Sequence, residues 1–217
     1  MTTTNWMSKL VRVKEDDPNT SIFGRHHKSA FTYMDTEFQT VAQMATYVVA
    51  ETIGNKSVVK EVVANPDIVA EKYSDMGLMM MRNHHSDDSD SVVFAVMLAC
   101  VAKFHSKRSL FDGLVATGDH VIMDDTTNDC FWSIKHDDTD LSDAENWGEN
   151  IMGRILMVVR FIFAGSDAPV PGSEMDSNIV TRLSMESAKV FQITCKSDWE
   201  GFVEEFEEEI RTKGQAT

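Results

Sequence analysis

The sequence predicts an α+β fold dominated by helices, with one main domain followed by a C-terminal strand–helix appendage. Apolar residues recur at helical spacing in several segments of the chain. Short runs of aromatic and β-branched residues flank polar turn residues, which is typical of strands. With 217 residues and 42% hydrophobic content, the chain is long enough and apolar enough to bury one sizeable core.

The N-terminal third of the chain predicts a lead-in, a hairpin and three helices. Asp35 and Thr36 form a polar turn pair between two strand-like runs. Gly54 and Asn55 are a plausible helix stop, and Pro66 suits the first turn of a following helix. The predicted elements are an irregular or extended lead-in over 1–24, a strand–turn–strand over 31–41, and helices over 41–52, 56–64 and 66–74.

The middle of the chain predicts further helices around a strand pair. The most apolar run, 151–163, reads as a buried helix, because it is shorter than the roughly 20 residues that span a bilayer and contains Arg154 and Arg160. The predicted elements are a polar loop over 82–91, helices over 92–105 and 110–116, a strand over 121–123 paired with 131–134, an acidic loop over 135–146, and a core helix over 146–163.

The C-terminal part reads as a linker and an appendage. Residues 164–178 are rich in proline, glycine and serine, and residues 188–195 alternate like a strand. An amphipathic helix is expected after residue 198, with a solvated acidic face that could pack on the main body or on a protein partner. The predicted organisation is an N-terminal extension over 1–24, the main domain over 25–165, and the linker with its appendage over 166–217.

Charge and cysteine content limit the classes of function. The net charge of −15 repels the phosphate backbone of duplex nucleic acid, so general nucleic-acid binding is not expected. Cys100, Cys130 and Cys195 are few and widely spaced, which fits a reducing compartment. The N-terminus lacks an apolar signal region, so we expect a cytoplasmic protein with no membrane segment.

Metal and cofactor motifs do not stand out. Residues 84–90 (HHSDDSD) contain possible metal ligands, but adjacent loop residues rarely converge on one ion, so a solvated loop is the preferred interpretation. His26 and His27 are interpreted in the same way. Glycine-rich nucleotide motifs and a nucleophile elbow are absent from the sequence. We therefore predict no metal and no cofactor.

Three blocks, in order and spacing, resemble the NADAR family. The first has an aromatic residue, a Thr-Val pair and a Gln before a helix. The second has Thr-Gly-Asp, a strand, and then Asp-x-x-Trp. The third has Trp and Asn before Gly-x-x-Leu-Met-x-Val-Arg. The blocks are residues 37–43 (EFQTVAQ), 114–119 (LVATGD) with 128–134 (NDCFWSI), and 147–160 (WGENIMGRILMVVR).

The resemblance covers about residues 30–165 and implies both a fold and an activity. It implies a compact, mostly helical α+β domain that hydrolyses N-glycosidic bonds to ribose without a metal. Family substrates include phosphoribosylated riboflavin intermediates and ADP-ribose attached to nucleobases. Such domains also occur in viruses and phages, in which case the location here would be the host cytoplasm.

The glutamate that the family places at the start of the first long helix is missing here. Cleavage of an N-glycoside passes through an oxocarbenium-like state that a nearby carboxylate stabilises. The matching residue is Ala42, which has neither charge nor proton acceptor. A family lysine and a family arginine are also replaced, by Val49 and Asp75. Glu37 and Glu51 lie near Ala42 in sequence, but neither is expected to reach the same point.

The resemblance leaves several candidate site residues. Asp129 is the candidate catalytic carboxylate, and its alternative role is capping a turn. Trp132 could stack on a base or fill the core, and Asn150 could bind phosphate or cap its helix. The segment Gly118-Asp119 would make a tight turn first and contact ligand second. The expected ligand-binding residues are Gln43, Gly118, Asp119, Trp132, Trp147 and Asn150.

The resulting hypothesis is a diverged NADAR-like protein that is catalytically impaired. It would bind an ADP-ribose-like or nucleotide ligand, or would serve in protein assembly. The first alternative is an active N-glycosidase that uses Asp129 on an ADP-ribosyl or phosphoribosyl substrate. The second is a structural or virion-associated protein that kept only the fold.

Overall fold

The computed structural model describes residues 10–67, 87–127, 129–134 and 148–165, together with the single residues 171 and 183. In chain order, its elements are β1 (Leu10–Val13), β2 (Phe31–Tyr33), β3 (Thr36–Phe38), α1 (Val41–Thr52), α2 (Lys56–Ala64), α3 (Asp87–Ser106), α4 (Arg108–Val115), β4 (Val121–Asp124) and α5 (Ile151–Ala164). A short 3-10 helix, Ser21–Phe23, lies between β1 and β2. The helix-dominated α+β fold is thereby confirmed.

The central sheet pairs β1 with β4 in parallel, from Leu10 beside Val121 to Val13 beside Asp124. Residues 10–13 lie within the predicted N-terminal extension, yet Val13 is fully buried in the main core. Parallel strands require a long crossover connection, which here includes helices α1 to α4. No local sequence pattern therefore predicts that β1 pairs with β4. The first strand therefore packs as part of the main body.

The strand predicted over 131–134 as the partner of β4 was wrong, because these residues form a turn. The side chain of Asp129 accepts hydrogen bonds from the backbone amides of Phe131 and Trp132, which closes the chain locally. The contacts of this turn with β4 are the amide of Ile134 and the hydroxyl of Ser133, which both donate to the carbonyl of Asp124, at 2.8 Å and 2.6 Å. A local Asx-type turn has thus replaced the expected ladder.

The predicted hairpin and the first two helices are confirmed. Strands β2 and β3 pair antiparallel, with Met34 and Asp35 at φ 45° and 61° in the turn, one residue earlier than expected. Thr40 caps α1 by accepting from the Gln43 amide, and Asn55 caps α2 by accepting from the Val58 amide. Polar caps before apolar-periodic runs explain why these helix boundaries could be predicted.

Helix α3 begins earlier than predicted, because residues 87–91 continue the helix instead of forming a loop. Acidic residues in a first turn interact favourably with the helix dipole, so this polar segment suits a helix start. Helix α5 begins at Ile151, later than expected, because Asn150 adopts a left-handed conformation at φ 51°. Both helices are the main walls of the core around the sheet.

Some predicted elements lie outside the described residues, namely the helix over 66–74, the acidic loop over 135–146, the C-terminal strand over 188–195 and the helix after 198. Leu183 is described and is fully buried in the main core. Among the described residues, no helix is both long and apolar enough to cross a membrane.

Candidate functional site

A cleft of about 630 Å³ opens beside the carboxyl ends of the two parallel strands. Glu15 follows β1 closely, and Thr126 and Thr127 follow β4, so the cleft lies where open parallel sheets commonly bind ligands. Its described lining is Glu15, Ser21, Gly24, Arg25, His26, His27, Lys28, Thr126, Thr127 and Asp129.

One wall of the cleft is the segment of residues 22–28, which we call the strap. The carbonyl of Arg25 accepts from the amide of Ala42 at the start of α1, at 3.1 Å. The guanidinium of Arg25 lies 4.7 Å from the ring centroid of Trp132, a cation–π contact. The ammonium of Lys103 reaches the strap from α3. The strap is therefore held by three separate parts of the core.

The charges of the cleft contrast with those of the whole chain. Burial and the neighbouring Arg25 lower the pKa of His26 to about 4, and burial and Lys103 lower the pKa of His27. Both imidazoles are therefore neutral at pH 7, which leaves Arg25 and Lys28 as cations. Glu15 is an acid of the lining, as is Asp129. The lining is balanced in charge within a chain of net charge −15.

Below the cleft lies a buried carboxyl at the end of β4. Asp124 is 1% exposed, and burial raises its pKa to about 6, while a hydrogen bond from Thr126 and the charge of Arg25 oppose that rise. The hydroxyl of Thr126 donates to Asp124 Oδ1 at 2.8 Å. Asp124 therefore supports the loop that lines the cleft.

Asp129, the candidate catalytic carboxylate, lies at the cleft with its side chain half-buried. Its Oδ1 accepts from the amide of Phe131 at 2.7 Å and from that of Trp132 at 3.2 Å. The turn-capping role is thus present in the structure. The position beside the cleft leaves a ligand-facing role compatible with the same side chain.

Trp132 occupies the core. It is 2% exposed, meets Phe131 edge-to-face at 5.0 Å between ring centroids, and carries the Arg25 guanidinium over its ring. A side chain so enclosed has no open face on which a nucleobase could stack. Its contribution to the cleft is to hold Arg25 in place.

Asn150 joins the start of α5 to β4, a role different from both sequence alternatives. Its Oδ1 accepts from the Asp124 amide at 2.8 Å, and its Nδ2 donates to the Ile122 carbonyl at 3.0 Å. It makes no side-chain cap bond to its own helix. The side chain is fully buried and both ends of its amide are occupied, so it is not presented to a ligand.

The N-terminus of α5 is likewise filled by the chain itself. The amides of Ile151 and Met152 donate to the carbonyls of Phe131 and Trp132, at 3.2 Å and 3.1 Å. Gly148 permits this approach, since a methyl group there would lie 2.1 Å from the Ser133 carbonyl oxygen. These amides therefore bind the 129–134 turn, and not a phosphate.

Gln43 and Ala42 belong to the contact between α1 and α2. Gln43 is 1% exposed, accepts from the Gln39 amide and donates to the Val62 carbonyl at 2.9 Å. Ala42 is 7% exposed and packs in a small apolar cluster with Val58 and Val62. Neither side chain is among the described residues that line the cleft.

Gly118 and Asp119 lie in a turn between α4 and β4. Gly118 has φ 57°, a conformation that favours glycine, so the tight-turn role is present. Arg160 of α5 holds this turn by donating to the Thr117 hydroxyl at 2.8 Å and to the His120 carbonyl at 2.7 Å. This turn is not part of the described cleft lining, and Trp147 lies outside the described residues.

Sequence reasoning missed most of the cleft. The sequence motifs do not indicate a role for Arg25 or Lys28, and they mark His26 and His27 only as possible metal ligands. Four consecutive basic residues in an acidic chain were an available signal, as was Lys103 on the apolar face of a helix. The described residues hold no cluster of side chains suited to a metal ion, and the side chains of residues 84–90 are not among them.

The geometry defines a helix-rich α+β domain with a ligand-sized cleft at the carboxyl edge of a parallel strand pair. Comparison with protein families agrees: the NADAR domain matches residues 4–163, well over half of the chain. The chain belongs to the NADAR family, whose members are N-glycosidase-like. The match begins within the segment predicted as an N-terminal extension, in keeping with the core position of β1. No curated protein matches the chain.

Proposed function

We propose that this NADAR protein binds an ADP-ribose-like or nucleotide ligand in the cleft without cleaving its N-glycosidic bond. The observation that carries the proposal is the apolar environment of Ala42. At the position that the resemblance assigns to the family's glutamate, the side chain is a methyl group, and it packs against Val58 and Val62. The resemblance assigns to that glutamate the stabilisation of the oxocarbenium-like state, and loss of such a group typically costs a factor of about 10²–10⁴ in rate.

The composition of the cleft supports a phosphorylated ligand. Arg25 and Lys28 supply positive charge, and the imidazoles of His26 and His27 and the hydroxyls of Ser21, Thr126 and Thr127 supply hydrogen-bonding groups, all within one cleft of about 630 Å³. That volume is in the range of small-molecule sites. At a charge-balanced cleft, an anion meets less repulsion than the net charge of −15 would suggest for the chain as a whole.

Two measurements test the proposal. Calorimetric titration with ADP-ribose measures binding, and chromatography of the same protein incubated with an N-linked ADP-ribosyl substrate detects hydrolysis. We expect binding and no released base. Product formation would contradict the non-hydrolytic role, and an absence of binding would contradict the ligand role and favour protein assembly.

A matched pair of variants locates the binding. Lys28 and Lys56 are similarly exposed, at 66% and 69% of the side chain, and each pairs with one acid, Asp67 and Glu51. We expect Lys28→Glu to weaken ADP-ribose binding at least about fivefold, the effect of about 1 kcal/mol, and Lys56→Glu to leave it unchanged. Equal effects of the two variants would place the ligand elsewhere.

An active N-glycosidase is the second candidate, because Asp129 borders the cleft. Asp129→Asn distinguishes the two functions, since an amide oxygen can still accept from the amides of Phe131 and Trp132 and so keep the turn. On this alternative, Asp129→Asn would abolish turnover measured for the unaltered protein. On our proposal, it leaves ligand binding intact and there is no turnover to lose.

A further inference from the structure

Lys103 is a charged side chain in an apolar place. It lies on α3 between Cys100 and Phe104, is fully buried, and its ammonium is 5.3 Å from the Phe104 ring centroid. Burial lowers its pKa to about 8. A buried lysine is rare because desolvation of its charge is costly, so its presence calls for a specific partner.

Its partners are two backbone carbonyls of the strap. Lys103 Nζ donates to the Ile22 carbonyl at 2.6 Å and to the Gly24 carbonyl at 3.3 Å. These carbonyls belong to the 3-10 helix and to its C-terminal cap residue. One ammonium therefore binds two backbone carbonyls of the strap, neither of which lies in a strand or a long helix.

The strap also lies close to the loop after β4. A methyl group on Gly24 would come within 3.3 Å of Thr126 Cγ2 and 3.1 Å of the Ser21 carbonyl oxygen. Gly24 is thus bound by Lys103 through its carbonyl and lies close to the Thr126 loop. The residues that follow, Arg25 to Lys28, line the cleft.

We propose that Lys103 is a positioning residue, whose two hydrogen bonds to the strap hold Arg25, His26 and Lys28 in the arrangement that receives the anionic ligand. The ligand part of this inference rests on the proposed function, whereas the structural part does not. Lys103 acts through the strap backbone, because its ammonium is enclosed by protein and does not itself line the cleft.

The titratable groups around Lys103 leave its two hydrogen bonds to the strap carbonyls as its main interaction. His27 of the strap faces it as a neutral imidazole with a lowered pKa, and Cys100 of its own helix has a pKa raised to about 12 by burial. Arg25 and Asp124 act on Cys100 from the strap and from β4. No carboxylate is placed against the ammonium among the described residues, so the carbonyl oxygens take that place.

Lys103→Met tests the inference, because methionine keeps most of the length and removes the donors. In full-length protein, hydrogen exchange is read at the amides of His27 and Ala42, which donate to the Gly24 and Arg25 carbonyls, and at Met44 within α1 as an internal reference. We expect exchange at His27 and Ala42 to accelerate at least about tenfold, with Met44 unchanged. ADP-ribose affinity should fall at least about fivefold.

Two further variants complete the experiment. Lys107→Met removes an exposed lysine near the end of the same helix and should change neither exchange nor affinity. Lys103→Arg keeps hydrogen-bond donors and should restore part of the exchange protection and of the ADP-ribose affinity. If Lys103 acted through packing alone, the arginine and methionine variants would behave alike. If Lys103→Met fails to fold, Lys103→Gln, which retains one amide donor group, takes its place in the same measurements.

The outcomes separate the two proposals. Unchanged exchange at His27 and Ala42 in Lys103→Met overturns the positioning role. Accelerated exchange with unchanged ADP-ribose affinity also overturns it, because the strap would then not shape the site. If the unaltered protein binds no ADP-ribose, the proposed function fails, while the exchange measurement still decides whether Lys103 holds the strap.

Discussion

At the residue scale, Asp124 is a buried carboxyl whose ionisation is linked to folding. Its carboxyl is almost fully enclosed at the end of β4, and burial raises its pKa to about 6. The unfolded chain would ionise it near pH 4. Between these two values the folded protein holds a proton that the unfolded chain releases, so ionisation of Asp124 costs stability as the pH rises.

Asp124→Asn should remove this pH dependence. Asparagine keeps an oxygen acceptor for Thr126 but cannot ionise. Relative to this variant, we expect the free energy of unfolding of the unaltered protein to fall by about 2 kcal/mol between pH 4 and pH 7. Denaturant unfolding at several pH values measures it, with Asp112→Asn, an exposed helix position, as the control. A pH-independent difference would contradict the expectation.

Ala42 is the residue that our proposal places at the family's glutamate position, and its surroundings make a glutamate there unfavourable. A glutamate there would enter the apolar cluster of α1 and α2. We expect Ala42→Glu to unfold more easily than Ala42→Gln by about 1–3 kcal/mol at pH 7, with the gap narrowing as the carboxyl is protonated at lower pH. Urea unfolding of both variants at pH 7 and pH 5 checks this, and equal stabilities would show that residue 42 points to solvent.

At the element scale, the junction of α5 with β4 organises the molecule. The Asn150 amide occupies the position of a neighbouring strand, accepting from one β4 residue and donating to another. Gly153 keeps the helix close, since a methyl group there would lie 2.2 Å from the Ile122 carbonyl oxygen. Together with the contacts of the α5 N-terminus to the 129–134 turn, these features set one boundary of the core beneath the cleft.

Asn150→Gly tests that junction without adding backbone strain, because glycine tolerates the left-handed conformation at this position. We expect a loss of about 2–4 kcal/mol in the free energy of unfolding, since two buried backbone groups of β4 lose their partner. Asn55→Gly, at the exposed cap of α2, should cost only a few tenths. Thermal and denaturant unfolding of the two variants measures both losses of stability. Equally small losses would contradict the structural role of Asn150.

At the scale of the whole molecule, the core extends past the family domain. The NADAR match ends at residue 163, yet Leu183 is fully buried in the main core. At least this point of the C-terminal part is therefore integrated with the domain and is not a detached appendage.

Leu183→Ala measures that integration. Truncation of a fully buried leucine should cost about 2–5 kcal/mol. Met34→Ala, at a hairpin position that is 79% exposed, should cost close to nothing. Chemical denaturation gives both values, and a loss below about 1 kcal/mol for Leu183→Ala would mean that residues after 165 contribute little to the core.

The elements differed in how far local sequence could predict them. Helices α1 and α2 were predicted closely, because apolar residues recur at helical spacing and Gly54-Asn55 separates the two runs. In the structure, Thr40 and Asn55 cap them. The strand predicted over 131–134 does not form. The side chain of Asp129 accepts hydrogen bonds from the backbone amides of Phe131 and Trp132, which a strand would have used for its ladder. Local hydrogen bonding from a short polar side chain competes with sheet formation and is not visible in hydrophobic alternation.

The sequence by itself determined the fold class, the main helices, the hairpin and the family, since periodicity, caps and motif spacing are properties of neighbouring residues. Only the tertiary structure decided the pairing of β1 with β4, the inward use of Asn150 and Gln43, and the attachment of the strap to Lys103. Each of those depends on hydrogen-bond partners far apart in the chain. A residue type states what a side chain can donate or accept, and only the folded chain determines which groups it meets.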